Sequence, residues 1–196
     1  AVFGVSFQAL DSPDGILAAE QVASAVRPID IHEPISRLVV VENTANLAGG
    51  RVVTLARLRA LRSVTRERGL KLHMDGARIW NASIACGATL TDYAREVDTI
   101  MCCLSKGLGC PVGSLLVGDK SDVDEARRLR KMLGGGMRQV GVLAACGLHA
   151  LEHHRERMAE DHAAAKSLAS QLRGAMDGRF TVQDPETNIL LLHTGS

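Results

Sequence analysis

The sequence predicts an α/β fold, a mostly parallel sheet with helices on its faces, and three observations carry that prediction. Residues 37–41 form a near-continuous apolar run, as in a strand of a covered parallel sheet, and residues 70–74 and 99–104 are further apolar, strand-like runs. Between the first two lies residues 55–68, which repeats Leu55, Leu58, Leu61 and Val64 on one helical face. The resulting β–α–β–α–β rhythm joins the strands through crossovers and therefore makes them parallel.

The elements follow in order. Residues 2–10 read as a strand, ended by the turn Asp11-Ser-Pro-Asp-Gly15. Residues 16–26 place Leu17, Val22 and Val26 on roughly one side of a modest helix, closed by Pro28. The strand at 37–41 is expected to be buried on both faces, and a loop at 42–50 follows it. The helix at 55–68 ends at Gly69. After the strand at 70–74 come a short helix near 79–85, a brief helix at 93–97 and the strand at 99–104. The step from there to residues 114–117 is too short for a crossover, so that strand is expected to be antiparallel. A helix at 123–132 precedes Gly134-Gly-Gly136. Residues 139–172 read as one long, bent helix with Ala144, Leu148 and Leu151 on its inner side. Strands at 180–182 and 189–192 follow. The expected division is a large domain over 1–150, with 151–196 forming a linking helix and the start of a small α+β domain.

Composition narrows the function classes. With 196 residues and 46% hydrophobic content, the chain can bury a real core. A net charge of +1 implies no strong attraction to DNA or an anionic membrane. Aromatic content of 3% argues against a base-stacking surface. The basic residues of 57–68 and 127–131 read mostly as solvated helix faces. No apolar run is long enough to span a bilayer, and no signal-peptide pattern opens the chain. The five cysteines lack paired zinc spacing, so reduced, buried thiols in a cytoplasmic protein are expected, with no metal site. Ala1 opens within a strand-like run and Ser196 closely follows another, so the chain reads as a fragment of a larger subunit.

Two residues suggest a chemistry. Lys106 follows an apolar run and stands among Gly107, Gly109 and Pro111, a constrained loop. Asp75 ends another apolar run. Each stands at the carboxyl end of a strand, where open α/β sheets bind ligands, and so does the loop at 42–46. A desolvated lysine is a usable nucleophile and can form a Schiff base with pyridoxal phosphate (PLP). A carboxylate can hold the proton on the pyridine nitrogen. The bland readings are a surface lysine in a turn and a helix N-cap at Asp75. Arg78, three residues after Asp75, would share its side in a helical turn and suit the cofactor oxygen or a substrate carboxylate. His73 shares the strand face of Asp75 and is read as structural. Lys131, Gly134-Gly-Gly136 and Arg138 fit either a basic helix end with a linker or a phosphate site.

Four ordered blocks carry a resemblance over nearly the whole chain. They are Glu42-Asn-Thr-Ala-Asn46 with Gly49-Gly50-Arg51-Val52, His73-Met-Asp75-Gly-Ala-Arg78 with Asn81-Ala82, Leu104-Ser-Lys106-Gly-Leu-Gly109-Cys-Pro-Val-Gly-Ser114, and Arg128-Leu-Arg-Lys131-Met-Leu-Gly-Gly-Gly136-Met-Arg138-Gln139. Together they resemble the L-threonine aldolase family of fold type I PLP-dependent enzymes. The resemblance implies Lys106 as the Schiff-base lysine, Asp75 as partner of the pyridine nitrogen, and Arg78 near the phenolic oxygen and substrate carboxylate. It implies that Ser105 supports the phosphate or orients the loop, and that Lys131 and Arg138 lie near the phosphate across a subunit interface, and hence a homo-oligomer, dimer or tetramer, with shared sites. The family's pattern usually has histidine where this chain has Ala45, facing the substrate hydroxyl. Alanine there opens room for a bulkier β-substituent, such as an aryl group. The activity implied is cleavage of threonine, allo-threonine or phenylserine to glycine and an aldehyde. The alternatives are another reaction on the same scaffold, such as β-elimination or transamination, or a truncated, non-catalytic homologue.

Overall fold

The computed structural model describes residues 4–175 and 180–194. Its main sheet has four strands in the order β1 (Leu38–Glu42), β2 (Lys71–Gly76), β3 (Thr99–Cys103) and β4 (Ser114–Gly118). The pairs β1·β2 and β2·β3 are parallel, and β4 runs antiparallel to β3, with Ser114 opposite Cys103. The expected topology and the reversal at the last strand both hold. The parallel strands therefore end on one edge, at Glu42, Asp75–Gly76 and Cys103.

Helix α1 (Ala19–Ala25) and helix α2 (Leu55–Glu67) pack against each other, and α2 also packs on β2. Thr54 caps α2 by accepting a hydrogen bond from the Arg57 amide, and Leu58, Leu61 and Thr65 turn inward. The core joins them to Val39, Val41, Leu72, Met74 and Ile100. Helix α3 (Ile79–Cys86) follows β2, and α4 (Leu90–Ala94) precedes β3. Beyond β4 come α5 (Lys120–Met132), α6 (Gly141–His153) and α7 (Met158–Ala175), then the antiparallel pair β5 (Phe180–Val182) and β6 (Leu192–Thr194). No helix among the described residues is long and apolar enough to cross a membrane.

Several expectations are corrected. Residues 4–10 form no strand, for they pair with none of the described strands, and residues 1–3 lie outside the described residues. Strand β1 is buried on one face only: Val39 and Val41 point inward while Leu38 and Val40 remain exposed. The brief helix before β3 is α4, which starts earlier than expected because Thr89 and Asp92 form a reciprocal capping box. The long helix is broken at 154–157 into α6 and α7. On α6 the inward residues are Gly147 and Ala150, whereas Ala144 and Leu148 are exposed. The last strand is β6 at Leu192–Thr194, shifted past the apolar run at 189–192.

The basic face of α2 is less solvated than its spacing suggests. Arg57 pairs with Asp14, Arg59 with Glu96, and Arg62 with Asp98. Asp98 lies just before β3 and gathers Arg62, Lys71 and the backbone amide of Leu72 (2.8 Å). Burial alone pushes the Asp98 carboxyl up, but those three partners outweigh it and hold it at about 2. A carboxyl lowered in the folded state stabilises above its ordinary pKa near 3.8, and that stability is lost as pH falls toward 2. Asp98→Asn is therefore expected to lower neutral-pH stability by about 1.5–3 kcal/mol and to flatten acid unfolding below pH 4. Denaturant titrations at pH 7 and pH 3 check both effects.

Candidate active site

The carboxyl edge of the parallel strands is assembled by backbone contacts that the sequence motifs encode. Asn43, fully buried, does most of this joining. Its backbone amide donates to the Asp75 carbonyl (2.8 Å), and its carbonyl accepts from the Arg78 amide (3.2 Å). Its side-chain oxygen accepts from the Val53 amide (3.1 Å) while its amide nitrogen donates to the Val53 carbonyl (3.3 Å). Asn43 thus ties the ends of β1 and β2 to the loop returning from Gly50. Gly76 brings β3 close: a Cβ there would stand 2.5 Å from the Met101 carbonyl oxygen.

Asp75 sits half-buried on the face of β2 that also carries His73. Its Oδ1 accepts from the Ala77 amide (3.0 Å), which fixes one oxygen, and among the described residues the other has no hydrogen-bond partner. It is not the helix cap, since α3 begins at Ile79 and its cap is Arg78. Arg78 has non-helical backbone (φ −133°, ψ 34°), so Asp75 and Arg78 do not form the helical turn expected of them. They remain three residues apart at the same edge. His73 donates to or accepts from Thr99 Oγ1 (2.7 Å). Burial lowers the His73 pKa, and the nearby Asp75 charge opposes that shift.

Lys106 lies in the β3–β4 loop. The Gly109 amide donates to the Lys106 carbonyl (2.8 Å), and the Cys110 amide donates to the Leu104 carbonyl (3.1 Å), closing a tight turn that needs the left-handed Gly109 (φ +73°). Leu108 and Leu104 anchor the turn in the core, while Ser105 and Lys106 project outward. The Ser105 hydroxyl contacts Cys103 Sγ (3.3 Å). On α3, Trp80 Nε1 donates to the Cys103 carbonyl (3.0 Å), fixing the strand end from which this loop departs.

Ala45 is buried, with its amide bonded to the Arg51 carbonyl (2.8 Å). It borders an open cleft of about 560 Å³ walled by residues 10–15, Glu42, Arg51 and Gln183. Asp75, Arg78 and Lys106 do not line this cleft. Lys131, on the last turn of α5, and Arg138, in the exposed segment after it, stand beyond β4. Among the described residues neither is ion-paired with, or hydrogen-bonded to, the Asp75–Lys106 edge. The structure thus groups Lys106, Ser105, Asp75 and Arg78 with the Ala45 loop at one edge and leaves Lys131 and Arg138 apart.

The cysteines are free, and Cys102, Cys103 and Cys110 are buried. Burial raises the Cys102 thiol to about 11, which keeps it protonated and unreactive. Sequence reasoning passed over Asn43 and Trp80 as individual residues. Asn43 lies inside a quoted motif, but its role depends on Val53, ten residues on, and no local pattern announces that contact.

A carboxylate and a guanidinium, Asp75 and Arg78, and an amine, Lys106, thus stand at or just beyond the ends of the adjacent parallel strands β2 and β3. The chain belongs to the beta-eliminating lyase family, whose model matches residues 1–194. It is 46% identical over 182 residues to the low specificity L-threonine aldolase of Escherichia coli K12, covering 93% of this chain and 53% of that protein. It is 40% identical to low-specificity L-threonine aldolase 1 of Arabidopsis thaliana, covering 91% of this chain and 51% of that one. The chain spans about half the length of the curated relatives it matches. The structure of Leishmania major threonine aldolase superposes with a TM-score of 0.73 at 25% identity, covering 92% of this chain and 53% of that one. These likenesses bear out the expected family and the fold type I class.

Proposed function

We propose that the full-length protein is a PLP-dependent aldolase that cleaves L-threonine-like β-hydroxy-α-amino acids to glycine and an aldehyde. The observation that carries this reading is the placement of Asp75 and Lys106 at the carboxyl edge of neighbouring parallel strands, in a chain 46% identical over 182 residues to an L-threonine aldolase. The donor set suits PLP. Asp75 has one carboxylate oxygen free for a pyridinium N–H, Lys106 offers an outward-facing amine, and Arg78 offers a planar donor pair. For the phosphate this edge offers Ser105, and Lys131 and Arg138 are proposed to reach it from a second subunit.

When bound, PLP supplies an electron sink for the pair released as the Cα–Cβ bond breaks. Asp75 keeps the ring nitrogen protonated, which preserves that sink. Lys106 would hold the cofactor covalently through its amine. Arg78 orients the phenolic oxygen or the substrate carboxylate. Ala45 presents no imidazole to the β-hydroxyl, so its proton passes to another histidine of the full-length chain or to a bound water. The substrates proposed are threonine, allo-threonine and, with the room that alanine leaves at position 45, phenylserine.

The homo-oligomer, dimer or tetramer, is supported by an uncovered apolar run. Leu115, Leu116 and Val117 on β4, Leu133, Met137 and Val140 after α5, and Val142 on α6 are all exposed. The division into a cofactor domain at 1–150 and a smaller domain at 151–196, and a cytoplasmic location, belong to the same reading.

β-Elimination is the second reading, favoured by Ala45 and by the family's own description. Product analysis separates the two. Phenylserine or threonine incubated with the full-length, PLP-loaded protein should yield glycine and an aldehyde in equal amounts. A keto acid with ammonia would replace the aldolase reading with elimination.

A further inference from the structure

We infer that His154 is a positioning residue for Lys106, holding the loop that carries the lysine. The inference rests on the reading of Lys106 as the cofactor-binding amine. The sequence runs without glycine or proline from Leu148 to Gln171, yet the helix breaks at 154–157. That break leaves His154 as the C-cap of α6, with its ring Nδ1 2.8 Å from the Leu108 carbonyl oxygen. A carbonyl only accepts, so Nδ1 carries the proton and donates. Leu108 is fully buried and lies two residues from Lys106, inside the turn closed by the Gly109–Lys106 hydrogen bond.

The rest of the junction forms the floor of this loop. Met158, the first residue of α7, is 1% exposed and abuts Gly107, where a Cβ would stand 3.1 Å from its Sδ. The Asn81 amide lies against the same point and is hydrogen-bonded to His162 on α7 (3.0 Å), and both residues are buried. These contacts set the height of the loop. Among the side chains of this junction, His154 makes the directional bond to the loop backbone, so it sets the loop's angle and the line along which Lys106 extends. Because a misplacement of about 1 Å at a reacting group can cost about 10²-fold in rate, a residue two positions from the amine can act through geometry alone.

The test compares His154→Ala with His154→Asn in the full-length protein. Asparagine keeps a donor nitrogen on Cγ, where histidine has Nδ1. Two readouts are followed: kcat, and the rate at which added PLP becomes fixed to Lys106, measured by borohydride trapping and peptide mapping. His154→Ala should lower both by about 10- to 100-fold with little change in KM, and His154→Asn should restore both to within a few-fold of the parent. Equal trapping and turnover in His154→Ala and the parent would overturn the inference, as would an asparagine variant no better than the alanine one. A parent protein that takes no PLP on Lys106 would instead overturn the cofactor reading beneath it.

Discussion

Lys106→Ala is expected to abolish turnover, lowering kcat/KM by more than about 10³-fold, toward the upper end of what one positioned proton-transfer group supplies. The loss should be larger than for a group that only moves a proton, because the lysine is also the attachment point for the cofactor. The fold should survive. Lys106 projects outward from a turn whose closure uses backbone groups, Gly109 to Lys106 and Cys110 to Leu104, with Leu104 and Leu108 as the buried anchors. The thermal midpoint is therefore expected to stay within a few degrees of the parent. An alanine variant with full activity would remove the proposed chemistry.

Asp75→Asn is expected to lower kcat by about 10²–10⁴-fold while leaving the protein folded. The substitution is chosen because the amide oxygen can still accept from the Ala77 amide, the contact that now orients the carboxylate. What it removes is the charge that would favour a protonated pyridine nitrogen. The effect should fall on kcat more than on KM, since the sink matters only as the Cα–Cβ bond breaks. A second consequence follows from His73. The Asp75 charge opposes the lowering that burial imposes on that imidazole, so in Asp75→Asn the His73 pKa should fall further. NMR titration of the His73 ring checks this independently of turnover.

The sheet was readable in the sequence because its strands are short apolar runs separated by an amphipathic helix. Leu58 and Leu61 are both fully buried, as their spacing requires. The antiparallel β4 was readable from the length of the connection alone. The break between α6 and α7 was not, because no glycine or proline marks it, and the contacts of His154 and Met158 with the lysine loop that flank it are tertiary. The inner face of α6 was misread for a related reason. Gly147 approaches Leu104 closely, and hydropathy favours the larger Leu148, which is exposed. The start of α4 was legible in Thr89 and Asp92, a capping pair that the apolar pattern overshadowed. Strand β1 looked covered on both faces because Leu38 and Val40 are apolar, and apolar character does not say what lies across the sheet.

At the site, the residues at strand ends were legible because an acid or a lysine interrupting an apolar run stands out. The network that sets them was not, since Asn43–Val53, Trp80–Cys103 and His154–Leu108 each join residues 10, 23 and 46 positions apart. Such pairings are fixed by the fold and leave no local pattern.

The most direct test of the central claim is borohydride reduction of the full-length protein after incubation with PLP, followed by peptide mapping. A single pyridoxyl adduct, on Lys106, is the expected result. A folded full-length protein with no adduct, or with its adduct on another lysine, would contradict it.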